Sequence, residues 1–339
     1  MMIVSLEFLA LAIVVALAGT YLARSADQIA EITRLGRLLV GSVLLAAATS
    51  LPELTVDFSA VRQGMPDLAA GDLFGSSLMN LLILAVLDLV HRSGGKMLSR
   101  EAAAHALSAT LSIALTAIAG MAMLTAPHLP GPSFLGIGIW SWGILVAYLL
   151  GVRMIFLDQR VSARAAVVAK PESSRSDTMT VLPPLWKPVV VFAVAALVLC
   201  LTGPRLAHTA GQLADLSGLG KTFVGTSLVA LCTSLPELVA SISALRLKAF
   251  DLVIGNVFGS NAFNMLLFLP LDAAHAGSLF ADISSSHAVT ALAVIVATAV
   301  ATLGQLYHVE KRRRVFEPDA LLMILILGGA LVLVYQLSS

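Results

Sequence analysis

The chain alternates long apolar runs with short polar connections. A membrane-crossing helix needs about 20 mostly apolar residues, and the runs at 3–22, 38–61, 68–90, 102–125, 133–156, 184–202, 222–245, 251–274, 286–307 and 319–337 meet that length. They cover most of the chain, so the pattern predicts an all-α integral membrane protein with ten transmembrane helices. The longest polar stretch, 157–183, is rich in Arg, Ser and Pro and too poor in apolar residues to fold alone, which makes it a cytoplasmic linker between 1–156 and 184–339. The segment from Arg205 to Leu219 reads as an interfacial amphipathic helix or as a plain loop.

Charge placement orients the spans. The first run lacks a basic leader, carries Glu7, and is followed by Arg24, Arg34 and Arg37, so it reads as a retained helix and not a cleaved signal. With its N-terminus outside, the inner connections hold 18 of the 21 Lys and Arg residues: Arg24, Arg34, Arg37, Arg92, Lys96, Arg100, Arg153, Arg160, Arg164, Lys170, Arg175, Lys187, Arg246, Lys248 and Lys311 to Arg314. Only Arg62, Arg205 and Lys221 fall outside. By the positive-inside rule both termini face outward, the arrangement expected in a bacterial inner membrane. Trp140, Trp142 and Tyr335 are then outer-interface anchors or ordinary packing residues.

Composition narrows the class. Of 339 residues 58% are hydrophobic and 12% charged, about half the charge of a soluble domain, and the mean hydropathy is +0.93. The two cysteines, Cys200 and Cys232, sit in apolar runs, which excludes a disulfide scaffold or a cysteine-held metal cluster. A net charge of +1 implies no nucleic-acid partner. Membrane lipid is the expected surrounding, and no obligatory protein partner is evident.

An internal repeat supplies the chemistry. Residues 41–82 align without a gap onto 225–266, with 20 of 42 positions identical, and the matches include Thr, Ser, Pro, Glu, Arg, Asp, Gly and Asn, which shared hydrophobicity cannot explain. Each copy lies on the second and third spans of a five-span half. Because five is odd, the halves enter the membrane in opposite senses, giving two inverted five-helix repeats, as in transporters whose sites lie at the midplane. Asp88 and Asp272 obey the same offset of 184 and read as end-of-helix interfacial charges.

Glu53 and Glu237 lie far from either end of their spans. An ionised carboxylate there costs several kcal/mol unless paired, and neither span offers a facing Lys or Arg, so a cation is the expected partner. Ala46, Thr49, Ser50 and Glu53 are spaced to share a helix face, and Ala230, Thr233, Ser234 and Glu237 repeat the pattern. Pro52 and Pro236 each remove a donor and displace a carbonyl one turn earlier, which is expected to loosen the carbonyls of 46–48 and 230–232.

On the next span of each half, Gly71/Gly75 and Gly255/Gly259 form close-packing pairs. Ser76 with Asn80, and Ser260 with Asn264, stand one turn beyond. This all-oxygen set, without His or Cys, suits Na⁺ or Ca²⁺ over zinc or copper. Asp57 and Asp72 extend the stripe by a turn, but their repeat mates are Ser241 and Asn256; they read as access-path charges. The histidines, including His105, His208 and His287, read as loop or packing residues.

At these residues the sequence resembles the cation/calcium antiporter superfamily, and within it the prokaryotic sodium/calcium exchangers. The carrying motifs are Thr-Ser-Leu-Pro-Glu at 49–53 and 233–237 and Gly-Ser-x-x-x-Asn at 75–80 and 259–264. The resemblance implies a carrier that exchanges several Na⁺ for one Ca²⁺ as transported ions, with no cofactor. It makes Glu53 and Glu237 the shared Ca²⁺ ligands. Thr49, Ser50, Ser76, Thr233, Ser234 and Ser260 with the carbonyls of Ala46 and Ala230 complete the sites, and Asn80 and Asn264 line the centre. Position 264 is Asn where some relatives have Asp, and Ser77 stands where the second copy has Asn261. The 157–183 linker is too short for the calcium-sensing domains of animal exchangers, so activation through such domains is not expected.

The same carboxylates could carry H⁺ in place of Na⁺, making a proton/calcium antiporter the alternative. The abundance of hydroxyls and amides favours Na⁺, because a proton carrier needs only the acids. An intramembrane enzyme using the glutamates as an acid/base pair has no need of duplicated oxygens, so no enzymatic activity is expected. A channel would be told apart by its turnover.

Overall fold

The computed structural model describes residues 1–33, 45–90, 105–129, 131–169, 184–246, 250–306 and 318–338. The connections 34–44, 91–104, 170–183, 247–249 and 307–317, with many of the basic residues assigned to the inner side, lie outside the described residues.

The described residues are helical almost throughout. In order come α1 (Met2–Thr33), α2 (Leu45–Thr49), α3 (Leu51–Arg62), α4 (Pro66–Val90), α5 (Ala106–Thr125), a hairpin of β1 (Ser133–Phe134) and β2 (Ile137–Gly138), and α6 (Ile139–Ala169). The second half holds α7 (Trp186–Ser217), α8 (Lys221–Thr233, with a π turn at Gly225–Val229), α9 (Leu235–Arg246), α10 (Phe250–Leu266), α11 (Phe268–Ala274), α12 (Leu279–Asp282), α13 (His287–Leu306) and α14 (Pro318–Ser338). Among the described residues, eight helices are long and apolar enough to cross a membrane, and α8 with α9 adds a ninth crossing if that bent pair is one span. The expected span 38–61 is described only from α2 onward.

Burial sorts these helices into a centre and a rim. Most of α4 and the stretch Leu252–Ala274 is enclosed by neighbours, whereas α1 and α7 pack along each other and turn rows of Leu, Ile and Val outward, among them Leu9, Ile13, Leu17, Val194, Leu197 and Leu201. Such rows are costly against water and at home against lipid tails, which are as apolar as leucine. Helices with both backbone groups satisfied internally are what a bilayer requires.

Three boundaries differ from the sequence expectation. Residues 133–138 form a hairpin, not the start of a span: Leu135 and Gly136 both take positive φ, 56° and 77°, the geometry of a tight hairpin turn, and the helix begins at Ile139. That helix runs past 156 to Ala169, because Ala, Arg, Leu and Gln in 157–169 are good helix formers and the first proline of the stretch is Pro171. The 205–219 segment is neither a separate interfacial helix nor a loop, since α7 continues through Pro204 to Ser217. Leu206, Ala207, Ala210, Leu213 and Ala214 form a buried stripe there, and Gly218, at φ 71°, caps the end by donating to the Ala214 carbonyl.

Glycines set the closest approach. A Cβ on Gly75 would run into the Thr226 carbonyl and stand 2.7 Å from the Ala230 Cβ; one on Gly71 would stand 2.8 Å from the Thr222 carbonyl and 3.1 Å from Gly225 Cα. The expected Gly71/Gly75 pair thus lets α4 lie directly on α8, across the two halves. Gly19 plays the same part on α1, where a Cβ would be 2.5 Å from Pro236 Cγ and 3.1 Å from Pro52 Cγ.

Candidate cation site

Both motif spans break at the same place. Ser50 separates α2 from α3 with φ −86° and ψ 11°, and Ser234 separates α8 from α9 with φ −80° and ψ 1°, where the axis bends by 43°. Pro52 and Pro236 sit at the second residue of the helices that follow, where a missing N–H costs least. The carbonyls of Ala46 and Ala230 nevertheless stay engaged. Each accepts the amide of the residue four ahead, Ser50 or Ser234, at 3.0 Å, and each also takes a contact from a threonine hydroxyl, Thr49 at 3.2 Å or Thr233 at 3.4 Å. The acceptors that a proline at 52 or 236 deprives lie four residues back, at Ala48 and Cys232.

Helices α4 and α10 face these breaks and join the halves through five polar contacts. The Thr49 and Ser260 hydroxyls lie 3.2 Å apart, and their repeat mates Thr233 and Ser76 lie 3.1 Å apart. Ser50 donates to Asn264 Oδ1 at 2.9 Å. The mates of that last pair do not meet: Asn80 donates to Asn261 Oδ1 at 3.0 Å, and Asn261 Nδ2 donates to the Ser77 carbonyl at 3.2 Å. Ser234 Oγ is left without a hydrogen bond. Asn261 is therefore part of the centre, a role the sequence marked only as the mismatch of Ser77 with Asn261.

Glu53 and Glu237 are both fully buried, and none of their four carboxylate oxygens carries a hydrogen bond. The two side chains lie within electrostatic reach of each other. Ser76 stands beside Glu53 and Thr49 beside Glu237, so each acid is flanked by a hydroxyl of the repeated set. Among the described residues the ion pairs are Lys221 with Asp215, His275 with Asp282 and His287 with Asp67, none at this centre. No group of three or more His, Cys, Asp or Glu converges on a metal position among those residues. What the centre offers is two separated carboxylates amid hydroxyl and amide oxygens, an arrangement for hard cations and not for a zinc cage.

All twelve residues expected at the site are described, and every side chain among them is buried. Asp57 and Asp72 are buried with them. Asp72 Oδ1 accepts from Thr233 at 2.9 Å and from Ser76 at 3.3 Å, which ties it to the centre more closely than an access-path charge. Asp272 is not an interfacial charge but a buried cap. It accepts from Ser141 Oγ at 2.6 Å, Gly138 N at 2.8 Å and Leu279 N at 3.2 Å, holding the hairpin to α11 and α12. Asp88 is also buried. His287 is a packing residue, fully buried, 3.3 Å from Asp67 and 3.4 Å from Thr222. Trp142 donates to the Phe134 carbonyl at 3.1 Å and Tyr335 meets Phe223 edge-on at 5.4 Å, so both take part in packing.

Comparison with known proteins agrees in breadth. A protein of Alkalimonas amylolytica named as an antiporter, CaxA, is 25% identical over 319 residues, 92% of each chain. The sodium/calcium exchanger MaX1 of Methanosarcina acetivorans is 50% identical over 58 residues, 17% of each chain. A structure of the sodium-calcium exchanger NCX_Mj soaked with Na⁺ and Sr²⁺ superposes with a TM-score of 0.60 at 19% identity, covering 98% of this chain and 99% of the other, and so shares the fold. The family pattern described as sodium/calcium exchanger protein matches residues 4–155 and 187–336, and the chain is an integral membrane protein belonging to that family within the cation/calcium antiporters.

Proposed function

We propose that the protein is a secondary antiporter that exchanges Na⁺ for Ca²⁺ by alternating access to one central site. The observation that carries this reading is the pair Glu53 and Glu237, one from each repeat, fully buried with no hydrogen bond on any carboxylate oxygen. Burying unpaired carboxylates costs several kcal/mol each. A cation of charge +2, or several of charge +1, removes that cost and is attracted most strongly where water is excluded.

In this reading Glu53 and Glu237 bind Ca²⁺ together, and Thr49, Ser50, Ser76, Thr233, Ser234 and Ser260 supply hydroxyl oxygens to Ca²⁺ or Na⁺. Asn80 and Asn264 line the centre with amide oxygens. The Ala46 and Ala230 carbonyls become ligands when the threonine hydroxyl protons turn away from them. The ten spans form two inverted five-helix repeats, 1–156 and 184–339, joined by a cytoplasmic stretch, 157–183, whose first part continues α6 to Ala169, with both termini outside a bacterial inner membrane. The gapless repeat and the pairing of Thr49–Ser260 with Thr233–Ser76 support that symmetry.

The coupling ion is tested by radiocalcium uptake into proteoliposomes that hold the purified protein under an outward Na⁺ gradient or an outward H⁺ gradient. Uptake driven by Na⁺ supports this reading. Uptake driven only by H⁺ replaces it with proton/calcium exchange at the same carboxylates.

A further inference from the structure

Beside the central glutamates the first repeat carries two acids that the second lacks. Asp57 is one turn beyond Glu53 on α3, and Asp72 is one turn before Ser76 on α4; these helices are antiparallel and joined by the short turn at Gln63–Met65. Both acids are fully buried, and their carboxyl groups face each other. Apart from the contact between the two carboxyl groups themselves, no hydrogen bond reaches either Asp57 oxygen or Asp72 Oδ2; Asp72 Oδ1 accepts from Thr233 and Ser76.

The second repeat is an internal control. The mates of Asp57 and Asp72 are Ser241 and Asn256, and there the amide Nδ2 donates to the hydroxyl at 3.4 Å. That neutral pair leaves one amide oxygen without a hydrogen bond, where the acidic pair leaves three carboxylate oxygens that nothing but the facing acid meets. A serine and an asparagine therefore fit this corner of the fold, and two facing carboxylates are an addition to it. Among the described residues no Lys, Arg or His is ion-paired to either acid.

We infer that Asp57 and Asp72 hold a second Ca²⁺, between the central site and the membrane face that carries the Gln63–Met65 turn. The charge argues for a divalent ion. With Glu53 and Glu237 matched by one Ca²⁺, the two aspartates present a further −2 whenever both are ionised, a charge that one divalent ion between their facing carboxyl groups balances. The ligands are at hand, since Asp57 and Asp72 Oδ2 have free lone pairs and the Thr233 and Ser76 hydroxyls already orient toward Asp72. Because those two hydroxyls also border the central site, an ion here is one step from it. The neutral Ser241–Asn256 corner provides no matching position in the other half, so the exchanger concentrates Ca²⁺ on one side of its centre only.

The test is the number of Ca²⁺ ions bound per chain, measured by equilibrium dialysis with radiocalcium on the full-length, detergent-purified protein. The variant Asp57→Ser with Asp72→Asn installs the pair the second repeat already accommodates, and a thermal melt checks that it folds. The account expects it to bind one Ca²⁺ fewer than wild type. Glu53→Gln with Glu237→Gln should keep a saturable Ca²⁺ that is lost when Asp57→Ser and Asp72→Asn are added. Equal Ca²⁺ binding by wild type and the folded Asp57/Asp72 variant would overturn the second site. Because the comparison is repeated with the glutamates intact and removed, failure of the central site reads separately, as unchanged binding in the Glu53/Glu237 variant.

Discussion

Thr49 and Ser260 stand 3.2 Å apart, oxygen to oxygen, although 211 residues of chain separate them. Their repeat mates Thr233 and Ser76 hold the same relation at 3.1 Å. The two halves therefore do not merely adjoin; each completes the other's row of hydroxyls beside the other's glutamate. If these oxygens bind the transported ion, Thr49→Ala and Thr233→Ala should each weaken Ca²⁺ by about tenfold, since a lost bond of this kind is worth about 1–1.5 kcal/mol. Thr→Ser at either position, which keeps the hydroxyl, should stay near wild type. The Ca²⁺ dependence of uptake reads both.

Protons should compete with Ca²⁺ at the centre. A carboxylate that is buried without a fixed positive partner escapes its charge by taking up either a cation or a proton. At subsaturating Ca²⁺, uptake should fall as the medium goes from alkaline to mildly acidic, and added Ca²⁺ should restore it. Uptake that is indifferent to pH over this range would contradict a carboxylate-centred site.

The contact of α4 with α8 depends on the absence of one side chain. Gly75→Ala places a methyl group against the Thr226 carbonyl and 2.7 Å from the Ala230 Cβ, an overpacking that costs about 1–3 kcal/mol and pushes apart the helices that carry Ser76 and Thr233. Gly328→Ala on α14 meets nothing within 4 Å and should be neutral or slightly stabilising. Thermal melts of the detergent-purified variants compare the two.

Asp272 should matter for stability and not for the ions. Asp272→Ala strands the Gly138 and Leu279 amides and the Ser141 hydroxyl in a buried corner, at about 1–3 kcal/mol for each group left unsatisfied. Amide hydrogen exchange should rise at residues 133–141, with the Ca²⁺ affinity of the remaining folded protein unchanged.

Much of this was legible from residue types alone. A gapless repeat placed Glu53 and Glu237, their Thr and Ser neighbours, and Gly71 and Gly75 in matching positions, and the structure brings the same residues to the interface of the halves. What hydropathy could not register was continuity. The apolar run ended at 202 and 205–219 read as an interfacial helix or a loop, yet a buried Ala and Leu stripe carries α7 through Pro204 to its cap at Gly218. Hydropathy also missed the Leu135–Gly136 hairpin, because a two-residue turn at positive φ leaves no mark on an apolar window. The π turn at Gly225–Val229 had no sequence signal either. Asp57 and Asp72 were visible as departures from the repeat, but only their mutual facing and the Thr233 bond made them part of the centre.

The central claim is that both glutamates bind the exchanged ion. The most direct test is Na⁺-driven radiocalcium uptake by proteoliposomes of Glu53→Gln and of Glu237→Gln, each checked for folding by a thermal melt. Either substitution alone should abolish uptake, because one remaining carboxylate leaves a buried divalent ion with half of its charge unmatched. Uptake near the wild-type rate in either folded variant would contradict it.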